Sequence, residues 1–141
     1  MHWMFLPLRR YARFHGRATR REFWLFHLFF YGLLIGWAIG LPLVSTWFVD
    51  PDSEESLVVV GLAGIGFMIV IVAMFIPSLT VSIRRIHDHD KPGWFFLFSF
   101  VPLVGWLFWL MLMLTPGTQG GNSYGDDPRE APLDRIAGVF S

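Results

Sequence analysis

The chain of 141 residues has no cysteine and little charge. Without cysteine there can be no disulfide, no thiol nucleophile and no cysteine-based zinc site. Only 16% of the residues are charged and 54% are apolar, whereas soluble domains carry about 25% charged residues. This shortage of charge excludes an ordinary soluble enzyme, a nucleic-acid-binding domain and a disordered chain.

Charged residues are missing altogether from three stretches, 23–49, 57–83 and 94–114. Each stretch reaches the about 20 apolar residues that a helix needs to cross the hydrocarbon core of a bilayer. The first stretch is longer than the apolar part of a signal peptide and no A-x-A-like site follows it, so we expect a retained membrane helix. The sequence therefore predicts an all-α integral membrane protein with three transmembrane helices, at about 23–44, 57–79 and 94–114.

The charged residues lie before, between and after these stretches. Residues 1–22 contain six arginines and one acid, the loop 50–56 contains four acids, and residues 84–93 contain three basic and two acidic side chains. Lys and Arg in short loops stay on the cytoplasmic side of a membrane. We therefore expect residues 1–22 to form a basic cytoplasmic segment, 23–114 the transmembrane domain and 115–141 a looped polar tail, with the N-terminus in the cytoplasm.

The third apolar stretch contains Pro102 and Gly105, which interrupt helices. Its 21 residues suffice for one plain crossing, which we favour and which would place the tail outside the cytoplasm. The alternative is a segment that is broken or re-entrant at Pro102–Gly105. That alternative would place the tail on the cytoplasmic side, where it would share one face with the other polar motifs.

Two features precede the first membrane helix. Residues 3–14 interleave aromatic side chains with arginines, which predicts a short N-terminal interfacial helix. The sequence T-R-R-E at 19–22 is a capping box, in which Thr19 accepts a backbone hydrogen bond at the start of the helix. Glu22 would either reach back to this cap or pair with an arginine at the membrane surface, and both roles are structural.

Gly32, Gly36 and Gly40 form a stripe of small residues in the first apolar stretch. Such a stripe lets another helix approach closely, so we expect it to pack against a helix of the same chain or of a second copy. The apolar stretches contain no acidic residue, which argues against a proton-coupled pump. An oligomeric channel or transporter packed through this stripe is the first alternative function.

The most polar part of the chain, H-D-H-D-K-P-G-W, lies at 87–94. Imidazole and carboxylate groups bind Zn, Fe, Mn or Ni, but adjacent side chains diverge and rarely share one ion. We therefore predict no catalytic residue, metal or cofactor here, and a His- or metal-dependent membrane enzyme is the second alternative. The leading hypothesis is a cytoplasmic cluster that binds an anionic lipid headgroup or a partner protein, formed by Arg17, Arg20, Arg21, Arg84, Arg85, His87 and Asp88.

Three motifs stand in a characteristic order: F-H-G-R-A-T-R-R-E-F-W at 14–24, R-R-I-H-D-H-D-K-P-G-W at 84–94 and P-G-T-Q-G-G-N-S-Y-G-D-D-P at 116–128. Together they resemble the small bacterial inner-membrane proteins grouped as domain-of-unknown-function family 805. One departure lies at 89–92, where the family more usually has a small polar or Gly-Lys/Arg-Ser stretch. The resemblance implies a multi-pass protein of the bacterial inner membrane and supplies no settled activity.

These observations predict a small, non-enzymatic scaffold or envelope-homeostasis factor. Its expected partners are anionic membrane lipids, another membrane protein or a second copy of the chain. Nucleic acid is not expected, because the arginines lie beside a bilayer that is itself negatively charged.

Overall fold

The computed structural model describes residues 2–48, 50, 53–103 and 105–129, and within them it contains helices and no strand. The tail beyond residue 129 lies outside the described residues. The helical elements follow in the order α1 (His2–Arg9), α2 (Arg20–Phe48), α3 (Glu54–His87), a 3-10 helix (Gly93–Phe100) and α4 (Gly105–Leu114).

Both long helices begin at caps that the sequence supplies. Thr19 precedes α2, and its Oγ1 accepts a hydrogen bond from the backbone N–H of Glu22 at 3.2 Å. Ser53 caps α3 in the same way, because its Oγ accepts from the N–H of Ser56 at 3.3 Å. These bonds satisfy donors that the first helical turn leaves free. The predicted cap at Thr19 is confirmed, while the carboxylate of Glu22 points instead to Arg84.

The long helices α2 and α3 are suited to cross a bilayer. Their 29 and 34 residues correspond to about 44 Å and about 51 Å of helix, more than the about 30 Å of a hydrocarbon core. Only 6% of the apolar window of α2 and 0% of that of α3 is buried inside the protein. Lipid chains would cover this surface, which is too large and too apolar for water. Pro42 and Pro77 lie inside these helices without ending them.

The third apolar stretch is not one continuous helix. A turn at Pro102 and Leu103 separates the 3-10 helix from α4, and Leu103 has a positive φ of 65°. The two halves pack together, with the rings of Phe98 and Phe108 5.6 Å apart. Gly105 permits this packing, because a Cβ at that position would overlap the carbonyl oxygen of Phe98. A single helix over this stretch, the interpretation favoured from the sequence, is therefore wrong, and the broken form is the one observed.

The chain returns from this turn to the end of α3. The ten residues of α4 extend about 15 Å, which is too short to cross a bilayer. Near the end of α4, the carbonyl oxygen of Leu112 lies 2.6 Å from Nε2 of His89, just beyond α3. The next residue after α4, Thr115, accepts a hydrogen bond from Arg85. Residues 93–114 therefore form a hairpin whose two ends lie beside the last turn of α3.

The buried core lies at this same end of the molecule. Its apolar side chains come from the start of α2 and the residues just before it, from the end of α3 and from the end of α4: Ala18, Phe23, Phe26, Val81, Ile86 and Met113. The predicted short N-terminal helix is present as α1, ending at Arg9 and not at residue 14, and it packs on α2 with the rings of Phe5 and Phe29 5.4 Å apart. Its position at the membrane interface stays a prediction. Just after α1, the hydroxyl of Tyr11 donates to the carbonyl of Ala73 in α3 at 2.7 Å.

The glycine stripe of α2 contacts no other helix of the described chain. A Cβ built on Gly32, Gly36 or Gly40 would meet no atom within 4 Å. The close approach of α2 and α3 occurs elsewhere, at Gly66, where a Cβ would lie 2.9 Å from the ring of Trp37. Packing of the stripe against a second copy stays a prediction.

Candidate functional site

Five buried charged side chains meet at the cytoplasmic end predicted from the sequence, and we call them the polar cluster: Arg17, Glu22, Arg84, Arg85 and Asp88. Nη1 of Arg84 lies 2.9 Å from Oε1 of Glu22. Nη2 of Arg17 lies 2.8 Å from Oδ1 of Asp88, and Arg85 forms an ion pair with the other carboxylate oxygen of Asp88. Each of these side chains exposes no more than 2% of its surface.

The polar cluster ties the chain before α2 to the last turn of α3. Arg84 and Glu22 are 62 residues apart in sequence. The guanidinium of Arg84 also donates to the carbonyl of Arg17 at 2.9 Å, and the carbonyl of Arg84 accepts from the N–H of Ala18 at 3.0 Å. Basic side chains at the C-terminus of α3 are further favoured by the helix dipole. Arg84 therefore fixes the position of one helix against the other.

The segment that follows α4, residues 115–129, covers the polar cluster, and we call it the tail clamp. Arg17 donates to the carbonyls of Thr118 and Gly120, both at 2.6 Å, and Arg85 donates to the carbonyl of Thr115. Three buried arginines face two carboxylates, so neutral acceptors are needed to satisfy the remaining N–H groups. The backbone of the tail clamp supplies them. Among the described residues, Nε of Arg84 and of Arg85 has no hydrogen-bond partner.

Asp88 is the residue on which these contacts converge. Its carboxylate pairs with Arg17 and Arg85, and its carbonyl accepts from the N–H of Thr118 at 2.8 Å and from the hydroxyl of the same residue at 3.1 Å. Gly117 lies directly against it, since a Cβ there would overlap the carboxylate and lie 2.6 Å from the carbonyl oxygen of Asp88. Only glycine allows the tail clamp to come this close.

Two histidines at and just beyond the end of α3, His87 and His89, contact residues from other parts of the chain. The ring of His87 stacks on Tyr124 with centroids 3.9 Å apart and planes 6° apart, and its Nδ1 lies 3.3 Å from the carbonyl oxygen of Gly16. Burial, followed by the charge of nearby arginine, lowers the pKa of His89. The neutral ring then donates from Nε2 to the carbonyl of Leu112.

Within the described part of the chain, no group of three His, Asp or Glu side chains converges as a metal site would require.

Two of the predicted site residues, Arg20 and Arg21, stay exposed. Nη1 of Arg20 donates to the carbonyl of Leu114 at 3.0 Å. Opposite them lies Arg129, whose hydrogen bonds to Asp127 lower the pKa of that carboxyl to about 2. Between these arginines is a cavity of about 420 Å³, which we call the basic pocket, lined by Thr19, Arg20, Arg21, Pro128 and Arg129.

The structure thus divides the predicted site. Five of its seven residues lie in the interior: Arg17, Arg84, Arg85, His87 and Asp88. The other two line the basic pocket. Sequence reasoning missed the carbonyls of the tail clamp, Tyr124 and Arg129. The glycines of the third motif indicated that its backbone could approach other residues closely. The pattern did not show which arginines would bond to the carbonyls of that backbone.

Comparison with known proteins identifies the family. The model of the family described as "Protein of unknown function (DUF805)" matches residues 11–126. Inner membrane protein YhaI of Escherichia coli (strain K12) is 35% identical over 129 residues, which cover 92% of this chain and 97% of the relative. Inner membrane protein YhaH of the same strain is 32% identical over 132 residues, covering 94% and 100%. No solved structure matches the chain.

The chain therefore belongs to the DUF805 family, as its three motifs indicated. Its relatives are named inner membrane proteins, and its long apolar helices fit that environment. It is a membrane protein of a family whose function is unknown.

Proposed function

We propose that this member of the DUF805 family is a non-enzymatic scaffold of the inner membrane that binds anionic lipid at its cytoplasmic surface. The observation that carries the proposal is the division of the arginines into two sets. The buried arginines, those of the polar cluster, form ion pairs and hydrogen bonds with carboxylates and carbonyls inside the protein. A second set stays exposed at the same end of the molecule and has no carboxylate partner among the described residues: Arg9, Arg13, Arg20 and Arg21.

The proposed topology has two crossings, α2 and α3. The arginine-rich segment 1–22 lies in the cytoplasm and the acidic loop 50–56 lies outside, as the distribution of Lys and Arg favours. The hairpin 93–114 enters the membrane from the cytoplasmic side and returns. Its two halves pack on each other through Phe98 and Phe108 and on the core through Phe95 and Leu112, the kind of support that irregular structure within a membrane requires. The contact of the tail clamp with Arg17 and Arg85 supports this arrangement, because it places 115–129 beside the start of α2.

A reporter fused after Ser141 tests the topology. A protein that fluoresces only in the cytoplasm should be bright in this fusion, and an enzyme that folds only outside the cytoplasm should be inactive there. The same two reporters inserted after Ser53 should give the opposite pattern and serve as the control. Activity of the external enzyme after Ser141 would overturn the two-crossing arrangement.

Electrostatics explains why the exposed arginines favour anionic lipid. Each basic side chain near an anionic leaflet contributes about 1 kcal/mol. Four exposed arginines at one end of the protein would therefore favour anionic over zwitterionic lipid strongly, whereas the acidic side chains at the start of α3 lie at the opposite end.

Lipid retention after mild detergent extraction tests this binding. Protein purified with mixed phosphatidylglycerol and phosphatidylcholine should retain the anionic lipid preferentially, as measured by native mass spectrometry. Combined replacement of Arg9, Arg13 and Arg20 by Gln should reduce that retention at least about 10-fold, because three favourable charges are lost. Replacement of Glu54 and Glu55 by Gln, at the other end of α3, is the matched control and should leave it unchanged. Equal retention of both lipids by the unmodified protein would contradict the proposal.

A further inference from the structure

The basic pocket brings three guanidinium groups to one cavity beside the start of α2. Arg20 and Arg21 come from the first turn of α2, and Arg129 comes from the tail clamp, more than 100 residues later. The pocket therefore exists only because the tail clamp is fastened to the polar cluster. Its volume of about 420 Å³ falls in the range of small-molecule sites.

The residues that line the basic pocket include three arginines and no acid. Asp127 accepts from Nε and Nη2 of Arg129, both at 2.7 Å, and so balances that arginine. The carboxylate of Glu22 is engaged with Arg84 in the interior. Within the described residues, neither Arg20 nor Arg21 has a carboxylate partner, although Arg20 donates to the carbonyl of Leu114. The third arginine of the pocket, Arg129, is the one paired with Asp127.

Donors without a protein acceptor belong to residues that line the pocket, on the backbone and on the side chain of Arg21. Within the described residues, the guanidinium of Arg21 and the backbone N–H groups of Arg20 and Arg21 have no protein acceptor, whereas the N–H groups of the next two residues bond to Thr19. The start of a long helix carries a partial positive charge and favours anions. The hydroxyl of Thr19 accepts from Glu22 and keeps its own proton free to donate.

We infer that the basic pocket binds a phosphomonoester group, which deepens the proposed function and rests on it. A phosphomonoester carries about −1.5 to −2 charges at pH 7 and three strong acceptor oxygens. It therefore matches two arginines without a carboxylate partner and the adjacent N–H donors. A phosphodiester headgroup has a single negative charge and fewer free oxygens, so it fits the pocket less well. The group belongs either to a lipid such as phosphatidic acid or to a soluble phosphate ester.

Native mass spectrometry of the full chain with defined lipids tests the inference. Phosphatidic acid should bind at least about 10-fold more tightly than phosphatidylglycerol, and Arg21→Gln should abolish most of that preference, because it removes a bidentate charged contact. Arg9→Gln is the matched control: it removes an exposed arginine of α1 outside the pocket, so it should weaken both anionic lipids alike and preserve the preference between them. An unchanged melting temperature of both variants establishes that each is folded.

A competition arm distinguishes the source of the group. Displacement of phosphatidic acid by millimolar glycerol 3-phosphate, lost in Arg21→Gln, supports the pocket with a soluble ligand. No displacement, with the preference for phosphatidic acid retained, supports the pocket with a lipid ligand. Equal binding of phosphatidic acid and phosphatidylglycerol overturns the inference while lipid binding stands. An equal loss of the preference for phosphatidic acid in Arg21→Gln and Arg9→Gln does the same. If neither anionic lipid binds better than phosphatidylcholine, the proposed function itself is overturned.

Discussion

Replacement of Asp88 by Asn should destabilise the protein by about 3–5 kcal/mol, the range seen when one member of a buried ion pair is removed. Asn keeps the shape of the side chain but not its charge. Arg17 and Arg85 would then remain buried, each exposing about 1% of its side chain, without the carboxylate that both share. The carbonyls of the tail clamp cannot replace that charge. We expect the tail clamp to separate from the end of α3.

The free energy of unfolding, measured by titration with SDS in mixed micelles, checks this expectation. Asp90→Asn is the matched control because it makes the same chemical change two residues away. Asp90 is exposed and has a positive φ of 55°, which Asn adopts readily. Its Oδ1 accepts from the N–H of Ser123 at 3.1 Å, and an amide oxygen keeps that bond. The control should shift stability by no more than about 0.5 kcal/mol; equal effects of both variants would show that the shared carboxylate of Asp88 contributes no special stability.

The membrane helices were predictable because their signals are local. The capping bond of Thr19 depends on residues three apart, and the absence of charge from 23–49 and 57–83 is visible directly in the sequence. The hairpin 93–114 was harder, because a crossing and a hairpin both need the same apolar residues. What decides between them is the contact of its far end with His89 and Arg85, which no local pattern reveals.

The polar cluster was predictable only in part: the predicted site contained four of its five members but not Glu22, and the pairing could not be predicted. The sequence places Arg17, Arg84 and Asp88 in polar motifs at helix ends, yet their partners lie 62 to 71 residues away. The packing of the start of α2 against the end of α3 brings Glu22 next to Arg84 and Asp88 next to Arg17. That packing also determines which arginines stay at the surface, so the division between a buried set and an exposed set could only be seen in the folded chain.

Replacement of Gly117 by Ala should also destabilise the protein severely, by at least about 3 kcal/mol. Overpacking alone costs about 1–3 kcal/mol, and here the added methyl would overlap the carboxylate of Asp88. The carboxylate can move only by weakening its pairs with Arg17 and Arg85, so the steric cost adds to an electrostatic one. We expect the tail clamp to detach, which would make the bond after Arg129 more sensitive to trypsin.

Gly121→Ala separates this steric effect from the general cost of replacing a glycine in the tail clamp. A Cβ at Gly121 would meet no atom within 4 Å, and neither glycine has a positive φ in the range that disfavours alanine. The two variants therefore differ in what the methyl group meets, and Gly121→Ala should change stability by no more than about 0.5 kcal/mol. Equal unfolding free energies and equal cleavage rates would mean that the tail clamp is not seated on Asp88. A large difference confined to Gly117→Ala would show that close backbone approach holds the third motif on the other two.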